Sequence, residues 1–329
     1  MAANLTPQYL EAEAEYKKAK TAEERLACLR KMFALTPKHK ASEKLQAELK
    51  TKIKHAADDV ETARHKKQGG VSYKIPRQGA GQVVLVGPPN CGKSRLLSRL
   101  TRATPEVAPY PFTTHQPTAG MMDFEDARVQ LIDLPPITAD VMEGWVSSMI
   151  RAADAAILIV DLADDDGPFA LEAVLQKLAT TKTVLVRRSP DQIDDYSVEY
   201  VPALLVANKS DGEGASDRLE IIREMFGPRF DIHVVSAEHR TGLEELRSAV
   251  YRILNVIRIY SKQPGKPADK SAPFTCAVGS TVADFAVLVH RDFADKLKSA
   301  RIWGSGVFDG QAVGREHVLG DKDVVELHI

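Results

Sequence analysis

The sequence predicts an α/β protein with a mostly parallel sheet covered by helices on both faces, preceded by a helical hairpin and followed by a small α+β domain. Three observations carry this. Residues 82–257 alternate short apolar runs with helical segments. Residues 8–67 lack glycine and are dense in Ala, Glu, Lys and Leu. From residue 258 the alternation stops. The expected boundaries are therefore 1–68 for the hairpin, 69–81 for a linker, 82–257 for the central domain and 258–329 for the tail.

In the first zone, Thr21 to Glu24 has the form of a capping box. Leu26, Leu29 and Phe33 then recur at helical spacing. Thr36 and Pro37 interrupt, and Pro37 suits a first helical position. Leu45, Leu49, Ile53 and Val60 form a second stripe. Two helices with one stripe each predict an antiparallel hairpin. The zone holds 15 Lys/Arg against 10 Asp/Glu, which fits either RNA contact or a solvated helix face. Gly69, Gly70, Gly79 and Gly81, with Pro76 among them, mark the linker.

In the central zone, strands are expected at Val83–Val86, Arg128–Ile132, Ala155–Val160, Thr183–Val186, Ala203–Ala207 and Ile232–Val235. Helices are expected at Lys93–Leu100, Pro168–Ala179, Ser216–Met225 and Leu243–Val256. Near-continuous apolar strands fit a sheet buried on both sides. In the tail, Arg258–Ser261, Phe274–Val278 and Val324–Ile329 read as strands, and Val282–His290 as a helix opened by Thr281.

The whole chain has 329 residues, is 44% hydrophobic and 27% charged, and carries a formal charge of −1. No global field pulls it toward nucleic acid or membrane, so any electrostatic partner site must be local. Three scattered cysteines, Cys28, Cys91 and Cys276, match no metal spacing and suggest a reduced, cytoplasmic protein. No apolar run is long enough to span a bilayer, and no secretory signal pattern opens the chain.

The strand Val83–Val86 runs straight into Gly87–Ser94, and a helix follows. This is GxxxxGK[ST] in its strand–loop–helix setting, a phosphate-binding loop. Pro88 and Pro89 have no N–H, so the cradle must come from Asn90 onward, through Cys91, Gly92, Lys93, Ser94 and Arg95. Lys93 should reach the β and γ phosphates, and Ser94 should ligate Mg²⁺.

Asn208, Lys209, Ser210 and Asp211 close another strand. Guanine carries an N1–H and a 2-amino group that adenine lacks, and one carboxylate can accept from both. Asp211 is therefore the expected specificity residue, which disfavours an ATPase. Asn208 should bond the base edge or brace the phosphate loop, and the Lys209 stem can cover the ring. Ser236 and Ala237 end a further strand, where the Ala237 N–H could meet the guanine O6.

Asp133 ends a strand about forty residues after the loop and suits a carboxylate holding Mg²⁺ through water. Thr114, with Thr113 as alternate, offers a hydroxyl for Mg²⁺ and the γ-phosphate. Lys93 and Thr114 are thus the catalytic candidates. Together these motifs, in this order, specify a P-loop G domain for GTP or GDP.

Gly87–Ser94, the run Tyr110–Thr114, Asp133-Leu134-Pro135, Asn208–Asp211 and Ser236-Ala237 resemble the Obg/DRG (developmentally regulated GTP-binding) class of GTPases. Ile257–Lys262, Thr281–Phe285, Ala300–Gly304 and Val313–Val325 look like the TGS domain of DRG proteins. The resemblance covers nearly the whole chain. It implies a β-grasp tail, GTPase activity, and association with the ribosome or RNA through the helical arm and TGS domain. It says nothing of oligomeric state.

Two departures stand out. DRG proteins carry an inserted domain before the guanine-motif strand, where only residues 181–201 stand here; that domain is expected to be absent. The second departure is Asp133-Leu134-Pro135-Pro136, where the family pattern is DxxG. Its glycine gives an N–H to the γ-phosphate, and Pro136 has none. One such charge-assisted bond is worth roughly 1.5–3 kcal/mol, so preference for GTP over GDP should be weaker by that order. Ile137 follows where Ras-like enzymes place a water-orienting glutamine. Hydrolysis must then draw on a backbone group, a partner or a metal ion. In related GTPases an asparagine at the position of Asn90 helps bind K⁺; the alternative is that Asn90 only shapes the loop. Two readings stay open: a slow GTPase switch, or a guanine-nucleotide binding module with little intrinsic hydrolysis.

Overall fold

The computed structural model describes residues 8, 9, 12, 16, 22–36, 49–53, 73, 75–101, 117–189, 195–304 and 306–329. The chain divides into two compact units, Met1–Ser72 and Tyr73–Ile329.

In the first unit, α1 spans Ala22–Leu35. Leu29 and Met32 are buried with Tyr9, Ala12 and Leu49. Leu26 and Phe33, expected on the buried stripe, are only partly covered, so the apolar face centres on Leu29 and Met32 instead. Helical residues at 8–9, 12 and 16 add a segment before the expected pair. Thr36 Oγ1 donates to the Met32 carbonyl at 2.8 Å and closes α1. Thr21 at the expected cap, Pro37, and the joint of the expected hairpin lie outside the described residues.

The second unit begins inside the expected linker. The Tyr73 ring meets Trp145 edge-on at 4.6 Å, and the amide of Ala80 donates to the Arg128 carbonyl at 2.7 Å. The Gln82 and Gln130 side chains hold the carbonyls of Ile75 and Pro76. The segment 69–81 is thus not wholly a linker, because its apolar and hydrogen-bonding residues find partners on the sheet.

Seven strands form the main sheet: β1 Gln82–Val86, β2 Thr118–Phe124, β3 Ala127–Asp133, β4 Ala155–Asp161, β5 Thr183–Val186, β6 Glu199–Asn208 and β7 Ile232–Val234. Their order is β2-β3-β1-β4-β6-β5, with β7 also on β6. Only β2 runs antiparallel. The helices are α2 Lys93–Leu100, α3 Gly144–Ala152, α4 Gly167–Thr180, α5 Ala215–Phe226 and α6 Leu243–Ile253. Strand alternation sorts the core. Val84, Val86, Ala156, Leu158 and Leu205 face α3, α4 and α5. Val83, Leu85, Ile157, Ile159 and Val206 face α2 and α6. Each such fully buried Val, Leu or Ile side chain contributes roughly 1.5–3 kcal/mol of transfer free energy. Parallel strands bring their carboxyl ends to one edge, where an α/β sheet binds ligands.

Between α4 and β6 stand only β5 and a connection that begins at residue 187. No separate domain occupies that stretch among the described residues.

The tail starts two residues earlier than the expected helix allowed: α6 ends at Ile253, not Val256, and β8 opens at Val256. Five strands follow, β8 Val256–Ser261, β9 Phe274–Ala277, β10 Ser299–Trp303, β11 Gln311–Val313 and β12 Asp323–His328. The order is β11-β10-β12-β8-β9, with β8 and β12 parallel and the rest antiparallel. Helix α7, Val282–Val289, packs Val282, Phe285 and Ala286 on one face, and α8 spans Arg291–Lys296. Thr281 and Asp284 form a capping box.

Arg258 joins tail to sheet. Its buried guanidinium meets Glu125 at 2.5 Å, Asp126 at 2.8 Å and Asp321 at 2.7 Å. Tyr260 donates its hydroxyl to Asp126, and Lys322 reaches Glu125 at 3.1 Å. Glu125 and Asp126 form the tip of the β2–β3 hairpin.

Candidate functional site

The phosphate loop leaves β1 and enters α2 through Gly92, whose φ of 95° lies in the left-handed region. A Cβ there would sit 2.3 Å from Asn208 Nδ2, so only glycine fits. No side chain caps α2, which leaves its first amides facing the loop's cavity. That cavity, about 460 Å³, is lined by Pro89, Asn90, Gly92–Arg95, Thr118 and Asp133–Pro136.

Lys93 is buried, and its ammonium donates to the carbonyls of Gly87 at 3.1 Å and Pro88 at 2.8 Å. Asn90 takes φ 60°, a strain asparagine tolerates better than most, and its side chain is exposed at the mouth. Burial pushes the Cys91 thiol up, against the neighbouring Lys93.

Ser94 Oγ donates to Asp133 Oδ2. The other carboxylate oxygen of Asp133 is buried with no hydrogen-bond partner among the described residues. Burial raises the Asp133 carboxyl, offset in part by Ser94 and Lys93. An orphaned carboxylate oxygen beside a serine hydroxyl is an all-oxygen donor set of the kind hard divalent cations take. Thr114 and Thr113 lie outside the described residues. Thr118 is the described hydroxyl that lines the cavity on that side. No group of three or more metal-ligating side chains occurs among the described residues.

After Asp133 the chain offers few donors. Pro135 and Pro136 lack N–H, and the amide of Ile137 donates to the Gly87 carbonyl at 3.2 Å. The Ile137 side chain is fully buried among Leu134, Trp145 and Ile150 in the core beneath α3. It therefore points away from the cavity, so an aliphatic residue there costs the site nothing in polarity. Sequence reasoning missed this tether.

The base motif sits at the ends of β6 and β7. Asn208 is buried and acts as a brace: Nδ2 donates to the Cys91 carbonyl at 2.9 Å, and Oδ1 accepts the Ala237 amide at 3.1 Å. Of the two roles expected for Asn208, this is the loop brace. The same bond engages the Ala237 N–H, which could meet the guanine O6 only by sharing its hydrogen.

Lys209, at φ 61°, reaches Asp161 Oδ2 at 2.5 Å. Its stem thus lies between the ends of β4 and β6. Asp211 is exposed, and the Ser236 hydroxyl first, then its own backbone, hold its carboxyl below the usual range. His239 Nε2 stands 3.6 Å from Asp211 Oδ2, and His239 N–H donates to Ser236 Oγ at 3.0 Å. Arg95 meets Glu238 at 2.7 Å. Phosphate loop, Asp133 and base motif thus converge on one edge of the sheet. The acidic run Asp164–Asp166 opens α4 and gives one member, Asp165, to Arg218 at 2.7 Å.

A model described as 50S ribosome-binding GTPase matches residues 82–209, and one described as TGS domain matches residues 257–329. An uncharacterized GTP-binding protein of Halobacterium salinarum is 28% identical across 93% of this chain and 98% of its own. Developmentally-regulated G-protein 1 of Arabidopsis thaliana is 28% identical, with 92% and 90% covered. Ribosome-interacting GTPase 1 of Saccharomyces cerevisiae is 26% identical, with 93% and 99% covered. The match to the Halobacterium protein runs over 363 residues, more than the 329 of this chain, so that relative carries sequence that this chain lacks. The YchF GTPase of Schizosaccharomyces pombe superposes with TM-score 0.54 at 14% identity, covering 78% of this chain and all of that one, a likeness of fold alone. Among the described residues no helix is long and apolar enough to cross a membrane.

Proposed function

The chain belongs to the Obg/DRG class of GTPases with a C-terminal TGS domain, and on that premise we propose a slow GTPase switch that holds GTP with Mg²⁺ and acts on the ribosome or RNA in the cytoplasm. The observation that carries it is the cavity at the end of β1, with Lys93, Ser94 and Asp133 lining it and the guanine motif tied to its wall through Asn208. GTP binding and hydrolysis are the family's activity. The rate, the ions and the target are our reading.

In this reading Lys93 exchanges its two carbonyl bonds for the β and γ phosphates. Ser94 and Asp133 hold Mg²⁺, Asp133 through water, with Thr114 as a further hydroxyl. When bound, Mg²⁺ offsets charge that develops on the phosphoryl oxygens. The absence of a free amide from Pro135 to Ile137 supports a slow step, since nothing there can meet a γ-phosphate without breaking the tether to Gly87. The exposed amide of Asn90 at the cavity mouth supports K⁺ as an assisting ion. The yeast relative's name supports a ribosomal target, reached through the helical arm and TGS domain.

Phosphate release by the purified protein in KCl or NaCl, with and without ribosomes, tests this. Turnover should be higher in KCl, rise with ribosomes, and vanish in Lys93→Ala. Equal turnover in both salts would remove the K⁺ proposal. No release under any condition favours the second reading, a guanine-nucleotide binding module, for which Pro136 is the supporting observation.

A further inference from the structure

Both peptide groups of Ala237 are held from outside its own loop. Asn208 Oδ1 takes its N–H at 3.1 Å, and Arg99 Nε donates to its carbonyl at 3.1 Å. Arg99 lies in the last turn of α2, the helix that starts at the phosphate loop. Asn208 in turn holds the Cys91 carbonyl of that loop. The bonds close a circuit: phosphate loop, Asn208, Ala237, Arg99, then back along α2. A second tie runs outside it, since Arg95, one turn earlier on α2, pairs with Glu238. From the other side, Arg247 of α6 donates to the Arg99 carbonyl at 3.1 Å and fixes that turn.

The exposed Arg95–Glu238 pair is of the kind that contributes little, because water screens it. The Arg99 bond is partly buried and has one geometry. It sets the plane of the Ala237–Glu238 peptide, as Asn208 sets that of the Ser236–Ala237 peptide before it, and Ser236 Oγ, which accepts the His239 N–H, lies on the Asp211 side of the loop.

We propose that Arg99 is a positioning residue for guanine: its bond to the Ala237 carbonyl locks the base-reading loop to the phosphate-loop helix, so that Asp211 meets the base in register with the phosphates. The inference rests on the reading of this site as one for guanine nucleotides. It assigns no contact between Arg99 and nucleotide.

The geometry suggests a clean test. In glutamine, Nε2 stands where arginine has Nε, and methionine places a methyl carbon there. Arg99→Gln therefore keeps the donor and Arg99→Met removes it at similar shape. The readout is the ratio of affinities for GDP and IDP, since inosine lacks the 2-amino group that Asp211 reads. Arg99→Met should lower the GDP:IDP ratio about five- to tenfold, the effect of one misplaced bond to a charged group, while IDP affinity changes little. Arg99→Gln should restore the ratio. A general loss of stability would weaken both nucleotides together, so equal losses, or an unchanged ratio, overturn the inference. Should Arg99→Met not fold, Arg99→Leu against Arg99→Gln makes the same comparison. A full chain that binds ADP as well as GDP would instead overturn the guanine reading itself.

Discussion

Replacing Asp211 by asparagine is expected to lower GDP affinity by roughly two to three orders of magnitude and to raise affinity for the xanthine nucleotide. Guanine presents two donors, N1–H and the 2-amino group. A carboxylate accepts both, and its charge strengthens each bond. An asparagine amide offers one acceptor and one donor group, so one of the two guanine donors is left facing another donor. Xanthine has a carbonyl where guanine has its amine, and the new amide can donate to it. The reversal of preference, not the loss alone, identifies Asp211 as the base reader. Titrating GDP and XDP into both proteins measures it. GDP affinity that survives the change would remove Asp211 from the assignment, along with the guanine reading of the motif.

Arg258→Ala is expected to cost roughly 2–3 kcal/mol, less than the 3–5 typical of breaking a fully buried pair because its partners are partly exposed. The guanidinium is almost wholly buried, with a side-chain exposure of 5% against 27–51% for its partners. It also lies over the Tyr251 ring at 5.4 Å. Removal leaves Glu125, Asp126 and Asp321 close together without their shared cation. These three carboxyls are held below their ordinary range: for Asp126 and Asp321 burial pushes upward but is outweighed by Arg258 and other donors, and for Glu125 the Arg258 bond is the largest cause. Lowered carboxyls stabilise the fold fully above their unfolded values, near about 4, and lose that contribution as pH falls through the folded values. The gap between wild type and Arg258→Ala should therefore stay constant from about pH 8 to about pH 5 and narrow in acid below about pH 4. Urea unfolding followed across that range checks both size and sign. Proteolysis between residues 253 and 261 should also accelerate, since the bond at risk ties the tail to the β2–β3 hairpin.

The sheet was legible because its physics is local. Val83–Val86 and Ala155–Val160 are continuous apolar runs, and burial on both faces requires that. Strand β2 was not legible: Thr118–Phe124 is a mixed run on the sheet's edge, where one side needs no strand partner and the alternation fades. Helix α3 escaped as well. It is nine residues long, and its buried Trp145, Val146, Met149 and Ile150 declare themselves only against the sheet they cover. In the tail, β11 is three residues long, too short for any period to show.

The site divides the same way. Gly87–Ser94 and Asn208–Asp211 could be read directly because their chemistry needs fixed residues at fixed spacing. What Asn208 and Ala237 do with each other depends on two loops 29 residues apart meeting in space. Pro136 was legible as a missing donor. That the next amide, of Ile137, is spent on Gly87 was not, since backbone bonding between two loops leaves no mark on side-chain identity. Arg99 carried no signal beyond being one more basic residue on a helix.

The central claim is that this cavity binds guanine nucleotide through the phosphate loop while Pro136 withholds the contact that would favour GTP. Calorimetric titration of GDP and a non-hydrolysable GTP analogue, with Mg²⁺, into the native chain and Pro136→Gly tests it most directly. The native chain should bind the two within a few-fold of each other, and Pro136→Gly should shift preference toward the analogue by about tenfold or more, the worth of one restored bond to a charged group. A native chain that strongly prefers the analogue, with no change in Pro136→Gly, would contradict it.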